Sequence, residues 1–265
     1  MLRDTPSTVY LKDYQPPEFL IDQVSLWFDL GEEETRVRSR LELRSNPAAE
    51  TPSADLRLHG EQLELLTLAL DGESLAPAAY AQDDEGLTIR QVPDRFVLES
   101  EVRILPQQNT ALEGLYKSGN MFCTQCEAEG FRKITWFLDR PDVMSRFTTT
   151  ITADKQRYPV LLSNGNPAEA VALADGRHRI TWADPFPKPA YLFALVAGDL
   201  RFIEDSHTTP SGRQVALRIY VEPENINKCA HAMASLKQAM RWDEQQYGRE
   251  YDLDIYMIVA VNDFN

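Results

Sequence analysis

Residues 19–30 read Phe-Leu-Ile-Asp-Gln-Val-Ser-Leu-Trp-Phe-Asp-Leu, and the second half alternates strictly, with Val24, Leu26, Phe28 and Leu30 on one side. Side chains of an extended chain point to opposite faces in turn, so this pattern predicts a half-buried β-strand. Residues 35–44 alternate in the same way beyond the turn Gly31-Glu32-Glu33-Glu34, which predicts a hairpin. Leu56 and Leu58 continue the theme, as do Leu63, Leu65 and Leu66 through Leu70, closed by the turn Asp71-Gly72-Glu73. Further strands are expected at residues 87–91, 95–104, 145–153, 178–182 and 191–197. Turn signals such as Ser163-Asn164-Gly165-Asn166 and Asp175-Gly176 separate some of them. Many short strands without a long helical period predict a β-sandwich or a saddle of sheets.

The pattern changes after Gly198-Asp199. Residues 215–221 form one more expected strand, and then Ala230, Met233, Leu236 and Met240 keep the spacing of an amphipathic helix. Asn225 is the expected N-cap and Gly248 the expected C′ residue. Residues 255–261 are apolar at nearly every position, which predicts a strand buried on both faces. About fifty residues of strand, helix and strand cannot enclose such a strand. The expected organisation is therefore a mainly β domain over residues 1–199 and an incomplete second unit over residues 200–265, as in a fragment of a longer protein.

Composition narrows the function classes. The 265 residues carry 27 Lys and Arg against 41 Asp and Glu, a net charge of -14, which argues against nucleic-acid and anionic-membrane partners. Residues 1–17 lack a basic flank followed by an apolar run, so no secretory leader is read there. Three cysteines, an odd number, predict reduced thiols and a cytoplasmic setting.

Few residues offer catalytic chemistry. A zinc hydrolase of the H-E-x-x-H kind needs two His one helical turn apart, and His59, His178, His207 and His231 are all far from one another. There is no G-x-S-x-G elbow and no nucleotide-binding glycine loop. Cys123 and Cys126 form a C-x-x-C, but Cys229 is distant and without a nearby His, so the pair reads as two thiols on a strand and turn. One dense polar segment remains, residues 123–132. Period two puts Gln125, Glu127 and Glu129 on one side of an extended chain. That spacing is compatible with a pocket for an ammonium group. From the period alone, a polar turn whose glutamates pair with Arg132 or Arg140 is the preferred reading.

The same segment carries a family resemblance. Thr124-Gln125-Cys126-Glu127-Ala128-Glu129-Gly130-Phe131-Arg132, with Phe137-Leu138-Asp139-Arg140-Pro141-Asp142-Val143, resembles the bacterial aminopeptidase N (alanyl aminopeptidase) family of gluzincin zinc metallopeptidases. Further similar blocks follow in order, at residues 162–166, 184–189, 191–199, 242–244 and 250–261. The resemblance implies a β-saddle domain followed by the start of a thermolysin-like catalytic domain. It implies substrate-binding roles for Gln125 and Glu127, with Glu127 holding the free α-amine of a peptide. Zinc is implied for the full-length enzyme, whereas this chain is expected to bind none and to be inactive alone. It has none of the family's metal ligands, general base or catalytic residues, all of which follow a stretch like Asp263-Phe264-Asn265. Peptide substrates, met through the free N-terminus, are the implied partners, and a monomer is the expected state of the complete protein. The alternative from a different class is a non-catalytic β-rich binding or interaction module.

Overall fold

The computed structural model of the protein describes residues 8, 10–49 and 54–264. Residues 1–7 and 9, on which much of the leader reading falls, and Asn265 lie outside the described residues. The order begins with β1 (Phe19–Leu30), β2 (Thr35–Ser45), β3 (Leu56–His59), β4 (Glu64–Leu70), β5 (Glu73–Ser74), β6 (Tyr80–Gln82), β7 (Gly86–Ile89) and β8 (Arg95–Ile104). The hairpin of β9 (Gly114–Ser118) and β10 (Met121–Gln125) follows, then β11 (Ser145–Asp154), β12 (Val160–Ser163), β13 (Asn166–Ala172), β14 (Arg177–Lys188) and β15 (Leu195–Gly198). Last come β16 (Arg201–Thr208), β17 (Gln214–Val221), the helix α1 (Ala230–Tyr247) and β18 (Ile255–Val259). The chain is mainly β, as its alternation predicts.

The largest sheet runs β13-β14-β11-β1-β2-β8-β4-β5, antiparallel except where β1 lies parallel to β11. In β1 the pairing with β2 shifts between Ile21 and Gln23. This irregularity resets the alternation, so Phe19 and Ile21 face the core together with Val24, Leu26, Phe28 and Leu30. Smaller sheets, β12-β15-β10-β9 and β3-β7-β6, cover that core. Phe131 stands at its centre, edge-on to Phe137 at 4.8 Å, Phe193 at 5.3 Å and Phe147 at 6.0 Å between ring centroids. Such T-shaped contacts align ring edges with ring faces and add to the area buried.

The fourth sheet, β16-β17-β18, packs with α1 around a separate cluster that includes Val215, Leu217, Met233, Leu236 and Met240. Its helix ends at Gly248, where a left-handed backbone (φ 62°) lets the amide donate to the Glu244 carbonyl at 3.0 Å. The expected N-cap is corrected. Asn225 lies inside a 3₁₀ turn, Pro223–Lys228, and α1 starts beyond it after Cys229, which makes no side-chain cap. Residues 191–197 are likewise not one strand, because Ala190–Leu192 form a 3₁₀ turn and β15 begins at Leu195.

The expectation of full burial for the last strand is also corrected. Ile255 is buried, but Tyr256, Met257, Ile258 and Val259 are only half-buried. The strand is an edge, parallel to β17, and its alternate residues serve two cores. Ile255, Met257 and Val259 face the large cluster, whereas Tyr256 and Ile258 face the helix cluster. Asn166 ties this edge to β13, donating to Asp254 Oδ2 at 3.0 Å and accepting from the Asp254 amide at 2.9 Å. No helix among the described residues is long and apolar enough to cross a membrane.

Candidate amine-binding turn

Strand β10 delivers the polar segment to the surface. Its main-chain pairing with β15 covers Phe122 and Cys123. At Thr124 the side chain takes over, its Oγ1 accepting the Leu195 amide at 2.8 Å. On the other side Gln125 pairs with Gly114, whose φ of +73° permits the close approach. The chain then leaves the sheet. The Glu127–Ala128 peptide is cis, and the Gly130 amide closes the turn by donating to the Cys126 carbonyl at 2.8 Å. A β-carbon on Gly130 would come within 2.4 Å of the Gln125 carbonyl oxygen and 2.9 Å of the Gly114 nitrogen, so this position admits glycine alone.

The turn breaks the period that grouped three polar residues. Gln125 ends the strand half-buried, with Nε2 3.5 Å from the Glu127 carbonyl oxygen. Glu127 is exposed and enters no ion pair among the described residues. Glu129 points back to Arg132, with Oε1 3.2 Å from Nη2. The polar-turn reading thus holds for Glu129 and not for Glu127. Arg140 belongs to neither, because it pairs with Asp142 at 2.7 Å.

Beneath the turn lies a set of charges that spacing did not reveal. The Arg132 side chain is 14% exposed, and its Nε meets Asp139 Oδ2 at 3.1 Å. Its own amide donates to the same oxygen at 3.1 Å, and Nη2 donates to the Asp139 carbonyl at 3.2 Å. Burial pushes the Asp139 carboxyl above its ordinary range, against the pull of Arg132. The Asp139 amide donates to His59 Nδ1 at 3.1 Å, and burial, then the Arg132 charge, lowers the pKa of that imidazole. Lys133 adds an ion pair to Glu113 at 2.5 Å. The sequence offered Arg132 as a partner for the turn's glutamates, but nothing in its spacing pointed to Asp139 and His59 beneath it.

The C-x-x-C lies inside the protein, away from the surface of the turn. Cys123 and Cys126 are buried free thiols. Burial pushes Cys123 up to about 11 and Cys126 higher still, so both stand as neutral thiols near neutral pH. Among the described residues no three His, Cys, Asp or Glu converge. The histidines are committed singly: His178 Nε2 to the Tyr158 carbonyl at 2.7 Å and His207 Nε2 to Glu244 at 2.9 Å. The residues present therefore do not fit a zinc site.

After β18 the chain crosses the hairpin that bears the turn. Tyr116 donates to the Asp263 carbonyl at 2.9 Å, and Ser118 donates to Asp263 Oδ2 at 3.0 Å. Both partners lie on β9, hydrogen-bonded to β10, so the chain's exit from the β16-β17-β18 sheet is fixed relative to Gln125.

Comparison with known proteins agrees with this architecture. The Peptidase M1 N-terminal domain matches residues 21–192. Aminopeptidase N of Caulobacter vibrioides is 54% identical over 265 residues, 100% of this chain and 30% of that protein. Aminopeptidase N of Escherichia coli is 50% identical over 260 residues, 98% of this chain and 29% of that protein. The crystal structure of Legionella pneumophila aminopeptidase A in complex with aspartic acid superposes with a TM-score of 0.92 at 36% identity, over 96% of this chain and 30% of that one. The chain thus spans about 30% of the length of these relatives. Its matched domain, its identities and its fold together show that the chain belongs to the M1 peptidase family, as the N-terminal portion of an aminopeptidase.

Proposed function

We propose that this chain is the amine-anchoring front of a zinc aminopeptidase that removes N-terminal residues from peptides, with Glu127 as the carboxylate that receives the substrate's α-ammonium and Gln125 as its neighbouring amide. The observation that carries this reading is the exposed, unpaired Glu127 carboxylate on a turn whose other carboxylate is already neutralised. An ammonium donates three hydrogen bonds and prefers charged acceptors, each such bond contributing about 1.5–3 kcal/mol. Gripping the amine fixes the register of the peptide, so the adjacent bond falls at one place for whatever group attacks it. The Legionella pneumophila relative was solved with aspartic acid, a ligand that carries the same α-ammonium.

Zinc belongs to the reading only through the family, and its ligands would lie in the remainder of the enzyme. We assign the first 199 residues to the anchoring domain and residues 200–265 to the start of the catalytic unit. The complete protein is read as a cytoplasmic monomer acting on peptides.

Kinetics of Glu127→Ala in the full-length enzyme test the role. The expected result is a fall in kcat/KM of about 10–100-fold on aminoacyl substrates, the loss of one charge-assisted contact. Near-normal kcat/KM with an intact fold would overturn the assignment.

A further inference from the structure

Glu127 and Glu129 stand two residues apart on one short turn, yet only one of them is committed. Glu129 is 67% exposed on its side chain, but Arg132 Nη2 holds it at 3.2 Å. Arg132 in turn has little left to give. Its Nε is taken by Asp139 Oδ2, its Nη2 is shared between the Asp139 carbonyl and Glu129, and Nη1 lies 3.9 Å from Glu61 Oε1. Its carbonyl accepts the Glu61 amide at 3.0 Å, and Phe131 roots the adjacent backbone in the aromatic core.

We propose that the Arg132–Glu129 pair is a positioning device: Glu129 occupies the outward edge of the Arg132 guanidinium, so that this cation does not capture Glu127. The proposal rests on the reading of Glu127 as the amine acceptor. Without Glu129 the turn holds one free carboxylate and, five residues further on, a guanidinium with an open N–H edge. A neutralised Glu127 attracts no ammonium. Without Arg132, two free carboxylates repel each other and compete for one ammonium. Either loss changes binding of the amine and not the chemical step, so the effect falls on KM.

Glu129→Gln tests this in the full-length enzyme, because an exposed side chain can be changed without threatening the fold. The expected result is a KM for aminoacyl substrates raised about 3–10-fold, with kcat changed less than about twofold. Glu129→Asp is expected to restore most of the loss, and on a Glu127→Ala background Glu129→Gln is expected to have no further effect. Arg132→Lys, which replaces a planar fork with a point charge, is expected to raise KM in the same way. If that variant does not fold, Glu129→Gln decides alone. An unchanged KM for Glu129→Gln, or an equal rise on the Glu127→Ala background, overturns the device and leaves the role of Glu127 standing. Near-normal kinetics for Glu127→Ala itself overturns both.

Discussion

Lys188 occupies one of the least hospitable sites for a cation in this molecule. Its side chain and that of Asp184 are each 10% exposed, Nζ lies 2.9 Å from Asp184 Oδ2, and the Phe147 ring centroid is 3.9 Å away. Nζ has no well-aligned hydrogen bond, so the contact with Asp184 is an ion pair without full donor satisfaction. Burial lowers the Lys188 pKa to about 8, with Asp184 opposing. The unfolded chain then binds the proton more tightly than the folded one between about pH 8 and 10.5. In that window Lys188 makes stability rise with pH, by at most about 1.4 kcal/mol per pH unit. Tyr116, Tyr158 and Tyr251 are raised by burial and act in the opposite direction, since their folded forms keep the proton longer. Denaturant unfolding at several pH values should therefore show the upward contribution only as a difference between the wild-type chain and Lys188→Met. A difference that is flat from pH 8 to 10 would contradict it. At this scale the sequence revealed little. Period two placed Gln125, Glu127 and Glu129 together, but the chain turns after Gln125, and no spacing rule separates Glu127 from Glu129. The family resemblance singled out Glu127, and the Arg132 contact explains why its neighbour differs.

Single elements show what alternation can and cannot reveal. The turn from Cys126 to Gly130 has room for a hydrogen and no more at its last residue. Gly130→Ala is expected to cost about 1–3 kcal/mol through overpacking, or a lowering of Tm by about 2–4 °C for each kcal/mol, measurable by thermal unfolding of the 265-residue chain. An unchanged Tm would show that the turn relaxes. Strands β1, β2 and β8 were legible because one face of each is buried and the other is not. By contrast β16 was missed, since only His207 is buried along it. Strand β13 was missed for the same reason, with Pro167 and a run of exposed residues at an edge of the large sheet. An edge strand wet on both faces has no hydrophobic period to read. The last strand misled in the other direction. Apolar residues at every position signal two apolar neighbours, here two clusters that each cover one side incompletely.

Across the whole molecule, the two cores meet along one seam. Beside the Asn166–Asp254 bonds lies a cavity of about 210 Å³, bordered by Ser163, Asp184, Tyr251 and Met257. Asn166→Ala removes both bonds and is expected to weaken the seam by about 1–2 kcal/mol. Hydrogen exchange should then quicken about tenfold in β18 and leave β1 and β2 unchanged. Equal acceleration everywhere would mean that the sheets open as one body. The parallel pairing of β1 with β11 has a different consequence, for manufacture. A ribosome releases β1 early but supplies its second neighbour only after roughly a hundred further residues, a wait of about 5–20 s at ordinary elongation speeds. Throughout that interval the nascent chain carries a naked strand border in the middle of its future sheet. A chaperone that binds exposed strand edges should therefore occupy it before Asp154 emerges and depart soon afterwards.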